Sequence, residues 1–206
     1  MFDARISDWL GRLADRTPAP GGGAVAALCA ASAAALLEMV ANYTTGKKWE
    51  DREEAMKAVI VEVAELRARA AQLARDDEEA FGAVGAAYAL PRSTAEEKAA
   101  RSAAIQEATH GAAEPPVQVG RLATRLVAIA DEMVEPANPN VLSDVGVAAA
   151  TARAALSGSI TNITVNAAFL SDADASRALL DQAAELERAM ARADEVAARV
   201  VERLSK

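Results

Sequence analysis

Between Met56 and Leu73 the apolar side chains Met56, Val59, Val63, Leu66, Ala70 and Leu73 recur at alternating spacings of three and four. That is the period of a helix, and no Gly or Pro interrupts it. A seam of this length needs other helices to cover it, which predicts a bundle. Composition agrees, because about a quarter of the residues are Ala and only 3% are aromatic. Such a chain favours helices and offers little for a sheet. At 206 residues it has room for one sizeable core, so residues 1–206 are read as a single all-α domain of long helices.

Breakers divide the chain into blocks. The first helix is expected over residues 3–15, closed by Thr17-Pro18-Ala19-Pro20-Gly21-Gly22-Gly23. The second, residues 24–43, is small and apolar almost all round, which suits the middle of a bundle or a subunit interface. Its most apolar part, residues 21–37, is shorter than a membrane span and stops at Glu38. The seam helix is expected over residues 51–88. Thr94 and Glu97 then read as a capping box for a helix over 95–113. Pro115-Pro116 should restart the chain as a separate helix over 117–135. After the loop 136–140 comes a helix over 143–170, with Ser143-Asp144 as its default N-cap. Ser171-Asp172 caps the last, highly charged helix.

A net charge of −8 argues against binding nucleic acid or an anionic membrane. The single Cys29 excludes an internal disulfide and a Cys-based zinc site, and the single His110 a His-rich centre. Cys29 reads as core and His110 as an exposed late-helix residue. The N-terminus is no signal peptide, so the chain is expected to be soluble and cytoplasmic.

Chemistry could sit in three places. Gly21, Gly22 and Gly23 precede a helix, where bare N–H groups and the positive helix end can hold an anion or a polar ring. A tight turn would use the same residues. Continuing the seam by four from Leu73 gives Asp77, followed at three and four by Ala80 and Val84. A carboxylate on an apolar stripe should have a raised pKa, suited to moving protons near neutrality. A buried ion pair, or a seam that simply ends before residue 77, is the alternative. Asp76 and Glu78 fall off the stripe and read as solvated. Finally, Asn162 and Asn166 share a helix face inside an apolar segment, and buried amides either recognise a ligand or tie helices together. Lys47 and Lys48 could meet an anionic group or merely complement a helix C-terminus. Gly46-Lys47 is not a P-loop, since Ala41 and Lys48 stand where Gly and Ser or Thr are required.

Taken in order, PAPGGGAVAAL, TTGKKW, DDEEAF, LPRSTAEEKAAR, NVLSD and NITVN resemble the cyclodeaminase/cyclohydrolase family over about residues 13–172. That family comprises the cyclodeaminase half of formiminotransferase-cyclodeaminase and stand-alone methenyltetrahydrofolate cyclohydrolases. The resemblance implies an all-helical homodimer holding folate in a cleft near the dimer interface. It places Asp77 on the family's essential aspartate. It matches Gly21, Gly22 and Gly23, Lys47 and Lys48, Ser143 and Asp144, and Asn162 and Asn166 to substrate-binding positions. The chain departs from the pattern at Ala24, where members often show Ser, and at Glu114-Pro115-Pro116.

The resemblance implies hydrolysis of 5,10-methenyltetrahydrofolate to 10-formyltetrahydrofolate, with cyclodeamination of 5-formiminotetrahydrofolate as the alternative. One carboxylate of tuned pKa can serve either, with no metal and no cofactor beyond the folate substrate. A catalytically silent helical dimer is the rival of another class. A di-metal bundle enzyme ranks last, because Glu107 and His110 supply one Glu-x-x-His pair where two are needed. The uniform second helix is expected at or near the dimer interface, where Ala27→Glu or Ala31→Glu would yield monomer or aggregate.

Overall fold

The computed structural model describes residues 5–206, and no β-strand occurs among them. The helices are α1 (Ile6–Ala14), α2 (Gly22–Asn42), α3 (Glu53–Tyr88), α4 (Ala95–Met133), α5 (Leu142–Phe169) and α6 (Ala173–Leu204). Single 3₁₀ turns, Lys47–Trp49 and Pro139–Val141, precede α3 and α5. The expected start of the first helix at Asp3 lies outside the described residues.

Short loops between long helices make sequential helices antiparallel. From α2 to α6 the chain therefore runs alternately up and down, giving the bundle two ends. At the glycine end, the start of α2 meets the late parts of α3 and α5: Gly23 lies against Asp77 and Gly22 against Asn162. At the lysine end, the close of α2 meets the loop after α4, where Asn138 bonds to Thr44 and Tyr43. The expected capping box at Thr94 and Glu97 forms, and Asp172 caps α6 through the N–H groups of Asp174 and Ala175.

The seam of α3 points inward. Met56, Val63, Ala70 and Leu73 are buried, and Val59, Leu66, Asp77, Ala80 and Val84 are half-buried. Helix α2 packs on α3, α4 and α5 and buries Ala24, Ala27, Ala31, Ala34 and Leu37. Its alanines permit close approach: a Cβ at Gly158 of α5 would come within 2.9 Å of the Ala26 methyl.

Four expectations need correction. The apolar run does not stop at Glu38, whose carboxylate is paired with Arg67 at 2.8 Å, so α2 continues to Asn42. Its 21 residues are long and apolar enough to cross a membrane by length and composition, yet most of its apolar window is buried inside the bundle. Ala27 and Ala31 lie in the chain's own core at 0% and 4% exposure, so charging them tests folding rather than association. Pro115-Pro116 does not divide α4. Pro116 offers no N–H to the Ala112 carbonyl four residues back, and the Asn166 side chain donates to that carbonyl instead, at 3.2 Å. Ser143 and Asp144 do not cap α5, which begins at Leu142 behind the N-cap Val141; they occupy its first turn.

One stripe of α2 is only partly covered among the described residues, although its Val25, Cys29, Leu36 and Met39 pack against the core. Gly22, Val25, Cys29, Ser32, Leu36, Met39 and Tyr43 follow the three-and-four spacing and are half-buried or exposed. None is charged. Cys29, expected in the core, is one of these half-buried residues, and burial pushes its thiol pKa up.

Candidate active site

Asp77 projects from α3 onto the first turn of α2. A Cβ at Gly23 would land on its carboxyl group, so the carboxylate occupies the space a side chain at 23 would need. The backbone N–H of Ala24 donates to Asp77. No side chain of α2 caps its own N-terminus, so Asp77 does from a neighbouring helix what a local Ser or Asp cap usually does. Burial pushes the Asp77 carboxyl above the ordinary carboxylate range; the Ala24 N–H opposes the rise, and the charge of Glu78 adds to it.

A cavity of about 210 Å³ opens beside this carboxylate. Gly21, Gly22, Gly23 and Asp77 line it from α2 and α3, and Asn162 and Asn166 from α5. The structure thus gathers six of the ten residues singled out by sequence. Only Gly23 is demanded by space within the chain. A Cβ at Gly22 would make ordinary contact with the Asn162 amide at 3.7 Å, and one at Gly21 would meet nothing.

The two asparagines are oriented by their amide nitrogens. Asn162 Nδ2 donates to the Gly158 carbonyl at 2.8 Å, and Asn166 Nδ2 to the carbonyls of Asn162 and Ala112 at 3.0 and 3.2 Å. Among the described residues no donor reaches either Oδ1. The site therefore offers acceptors (two amide oxygens and a carboxylate) beside the first-turn N–H groups of Gly22 and Gly23. It suits a ligand with several ring N–H donors and a reacting centre that exchanges protons.

The remaining four residues lie elsewhere. Lys47 and Lys48 follow the far end of α2, whose 21 residues span about 30 Å. Ser143 and Asp144 sit at that same end, in the first turn of α5. Lys48 Nζ stands 5.0 Å from the centre of the Trp49 ring, with the Arg52 guanidinium at 4.9 Å.

Asp76 and Glu78 are not the solvated charges that the seam register implied. Asp76 is half-buried and bonded to Gln72 at 2.7 Å and Arg69 at 3.2 Å. Glu78 meets Arg12 of α1 at 3.3 Å, and its other oxygen is buried without a partner among the described residues. The long α4 and the segment before α2 shield positions beyond the stripe, which a single-helix pattern does not register.

The cavity also uses residues not singled out by sequence. Pro18 and Ala19 cover one side, Ala112 belongs to α4, and Phe81 and Val165 stand at the walls. Phe81 carried a signal, since it lies one turn after Asp77 on the same helical face. A wider groove of about 440 Å³ between α4 and α6 holds none of the singled-out residues. Its Arg121 and Arg192 are engaged by Gln182 and Asp131. Among the described residues no group of three His, Cys, Asp or Glu side chains could hold a metal ion, and Glu107 and His110 are exposed on α4.

Comparison with known proteins places this chain in a family. Residues 5–185 match the family described as formiminotransferase-cyclodeaminase. The chain is 43% identical over 168 residues to a methenyltetrahydrofolate cyclohydrolase of Methylorubrum extorquens, covering 81% of each chain. It is 31% identical over 173 residues to a formimidoyltransferase-cyclodeaminase of Rattus norvegicus, covering 84% of this chain and 32% of that longer one. The chain thus spans about a third of that relative's length. The crystal structure of a formiminotetrahydrofolate cyclodeaminase from Thermotoga maritima superposes with a TM-score of 0.83 at 32% identity, over 98% of this chain and 96% of that one. With most of its length matched in sequence and nearly all of it in fold, this chain belongs to the formiminotransferase-cyclodeaminase family.

Proposed function

We propose that the chain is a cytoplasmic tetrahydrofolate enzyme that hydrolyses 5,10-methenyltetrahydrofolate to 10-formyltetrahydrofolate, with Asp77 as general acid and base. The observation that carries this reading is the Asp77 carboxyl, its pKa raised by burial, facing a cavity of about 210 Å³ that Asn162 and Asn166 also line. Water attacks the methenyl carbon as Asp77 takes its proton, forming a tetrahedral carbon bound to oxygen and both nitrogens. The bond to N5 then breaks, N5 receives the proton held by Asp77, and the hydroxyl proton leaves as the formyl group on N10 forms. The Oδ1 atoms of Asn162 and Asn166 accept from ring N–H groups, and the N–H groups of Gly22 and Gly23 face the polar edge of the substrate. These proton transfers need no metal and no cofactor beyond the folate. The relative in Methylorubrum extorquens supports this substrate.

The neighbour in Thermotoga maritima favours a second reading, the cyclodeaminase, in which N10 attacks the formimino carbon of 5-formiminotetrahydrofolate and ammonia leaves. Offering each substrate separately decides between them. Loss of methenyl absorbance near neutral pH is the expected result. Its appearance with ammonia release supports the cyclodeaminase, and no change with either favours a catalytically silent helical dimer.

The reading includes a homodimer built on the uncharged stripe of α2. A two-fold antiparallel contact centred on Ser32 would bring the lysine end of one copy beside the glycine end of the other. Lys47 and Lys48 could then meet the glutamate tail of a folate held at the partner's cavity. Leu36→Glu should yield monomer in sedimentation experiments; an intact dimer would move the contact to another face.

A further inference from the structure

Helices α3 and α5 run in the same direction past the cavity, and each presents a polar residue followed by an apolar one nearer the rim. On α3 Asp77 is followed by Phe81, and on α5 Asn162 is followed by Val165. The spacings of four and three put each pair on one helix face. Phe81 is 50% exposed and Val165 51% exposed, although both line a cavity whose inner part is polar. The chain has only seven aromatic residues, two Trp, two Tyr and three Phe, and among the described residues Phe81 is the one of these that lines the cavity holding Asp77.

From this arrangement we infer that Phe81 and Val165 are specificity-determining residues, the two walls of a slot that takes the fused ring of the substrate by the faces of its flat pyrimidinone half. The acceptors of Asp77, Asn162 and Asn166 then read the ring's edge. This rests on the folate reading above and adds which part of the molecule the cavity selects. An aromatic face on one wall and a branched aliphatic on the other grip the planar pyrimidinone half of a reduced pterin and give little to a one-carbon carrier that lacks such a ring.

The test compares Phe81→Ala, Phe81→Tyr and Val165→Ala with the unmodified chain in steady-state turnover of 5,10-methenyltetrahydrofolate. Phe81→Ala should raise KM about tenfold, the order expected for losing one ring stack, with kcat within about threefold. Phe81→Tyr should restore KM, and Val165→Ala should raise it by a smaller factor. A second probe, 6-methyltetrahydropterin, carries the fused ring without the benzoyl-glutamate tail. It should bind the unmodified chain and lose that binding in Phe81→Ala, measured by calorimetry. All three variants alter half-exposed side chains, so their circular dichroism should match the unmodified chain. A KM within twofold in Phe81→Ala, a fall confined to kcat, or equal pterin binding by both proteins would overturn the slot. Absence of turnover by the unmodified chain would instead remove the folate reaction, and the pterin titration would still decide whether Phe81 holds a ring.

Discussion

The two ends of α2 use similar polar residues to opposite effect. At the lysine end Thr44 Oγ1 donates to the Val40 carbonyl at 2.8 Å and accepts the Asn138 N–H at 3.0 Å. Asn138 Nδ2 donates to the Tyr43 carbonyl at 3.0 Å, and its Oδ1 accepts the Asn140 N–H at 3.1 Å. These groups are buried and consumed by one another. At the glycine end the asparagines spend their nitrogens on backbone and leave their oxygens open, beside a carboxylate whose pKa burial has raised. A buried amide whose bonds all close within the chain holds the fold; one left with an open acceptor beside a cavity is available to a ligand.

The largest expected effect breaks the glycine end alone. Asp77→Asn keeps the shape and an acceptor for the Ala24 N–H but cannot carry a proton. Turnover should fall by roughly 10²–10⁴, with fold and substrate affinity retained. Asp76→Asn, whose carboxylate serves Arg69 and Gln72, should cost little. Near-normal turnover in Asp77→Asn would remove Asp77 from the chemistry.

This asymmetry was partly legible in the sequence. The seam of α3 fixed the register that turns Asp77 inward, because a period sustained from Met56 to Leu73 leaves little freedom four residues later. The Asn162 and Asn166 pair stood out because amides are rare inside an apolar helix. What escaped depends on contacts between distant segments. The unbroken α4 requires Asn166 to serve the Ala112 carbonyl, an interaction 54 residues apart. The buried oxygen of Glu78 requires cover from outside α3. Thr44 and Asn138 looked like loop residues until the loops met. Lys47 and Lys48 are close to the glycine run in sequence, but a 21-residue helix carries them to the opposite end.

The lysine end supplies the next contrast. Asn138→Ala removes two hydrogen bonds and leaves the Tyr43 carbonyl without its side-chain donor. It should lower stability by roughly 1–3 kcal/mol in urea unfolding while leaving kcat of the folded enzyme unchanged. A loss of kcat without a loss of stability would mean that this end takes part in the chemistry after all.

A subtler effect separates stability from activity at Asp77 itself. Because its pKa is raised in the folded state, the folded chain holds the proton more tightly than the unfolded chain does. The stability this contributes is complete below the ordinary carboxylate range and is lost as pH rises through the folded value. Asp77→Asn should therefore melt higher than the unmodified chain near pH 8, with the gain shrinking toward pH 4. A gain that grows toward acid pH would show that the Ala24 N–H outweighs burial.

The smallest expected effect joins the two ends. Lys47 and Lys48 are exposed, and exposed ion pairs are worth about 0.2–1 kcal/mol each, so Lys47→Ala with Lys48→Ala should weaken substrate binding only several-fold. The loss should fall mainly on polyglutamylated folate, whose tail carries extra carboxylates, with a smaller change in turnover. Within one copy these lysines lie about 30 Å along α2 from Asp77, so the tail effect depends on a second copy turned end for end. Leu36→Glu, as a monomer, should then bind long-tailed and short-tailed folates alike, and adding the lysine changes to it should do nothing more. A tail preference that survives in the monomer would assign tail recognition to the glycine end itself and leave Lys47 and Lys48 as ordinary charges after a helix C-terminus.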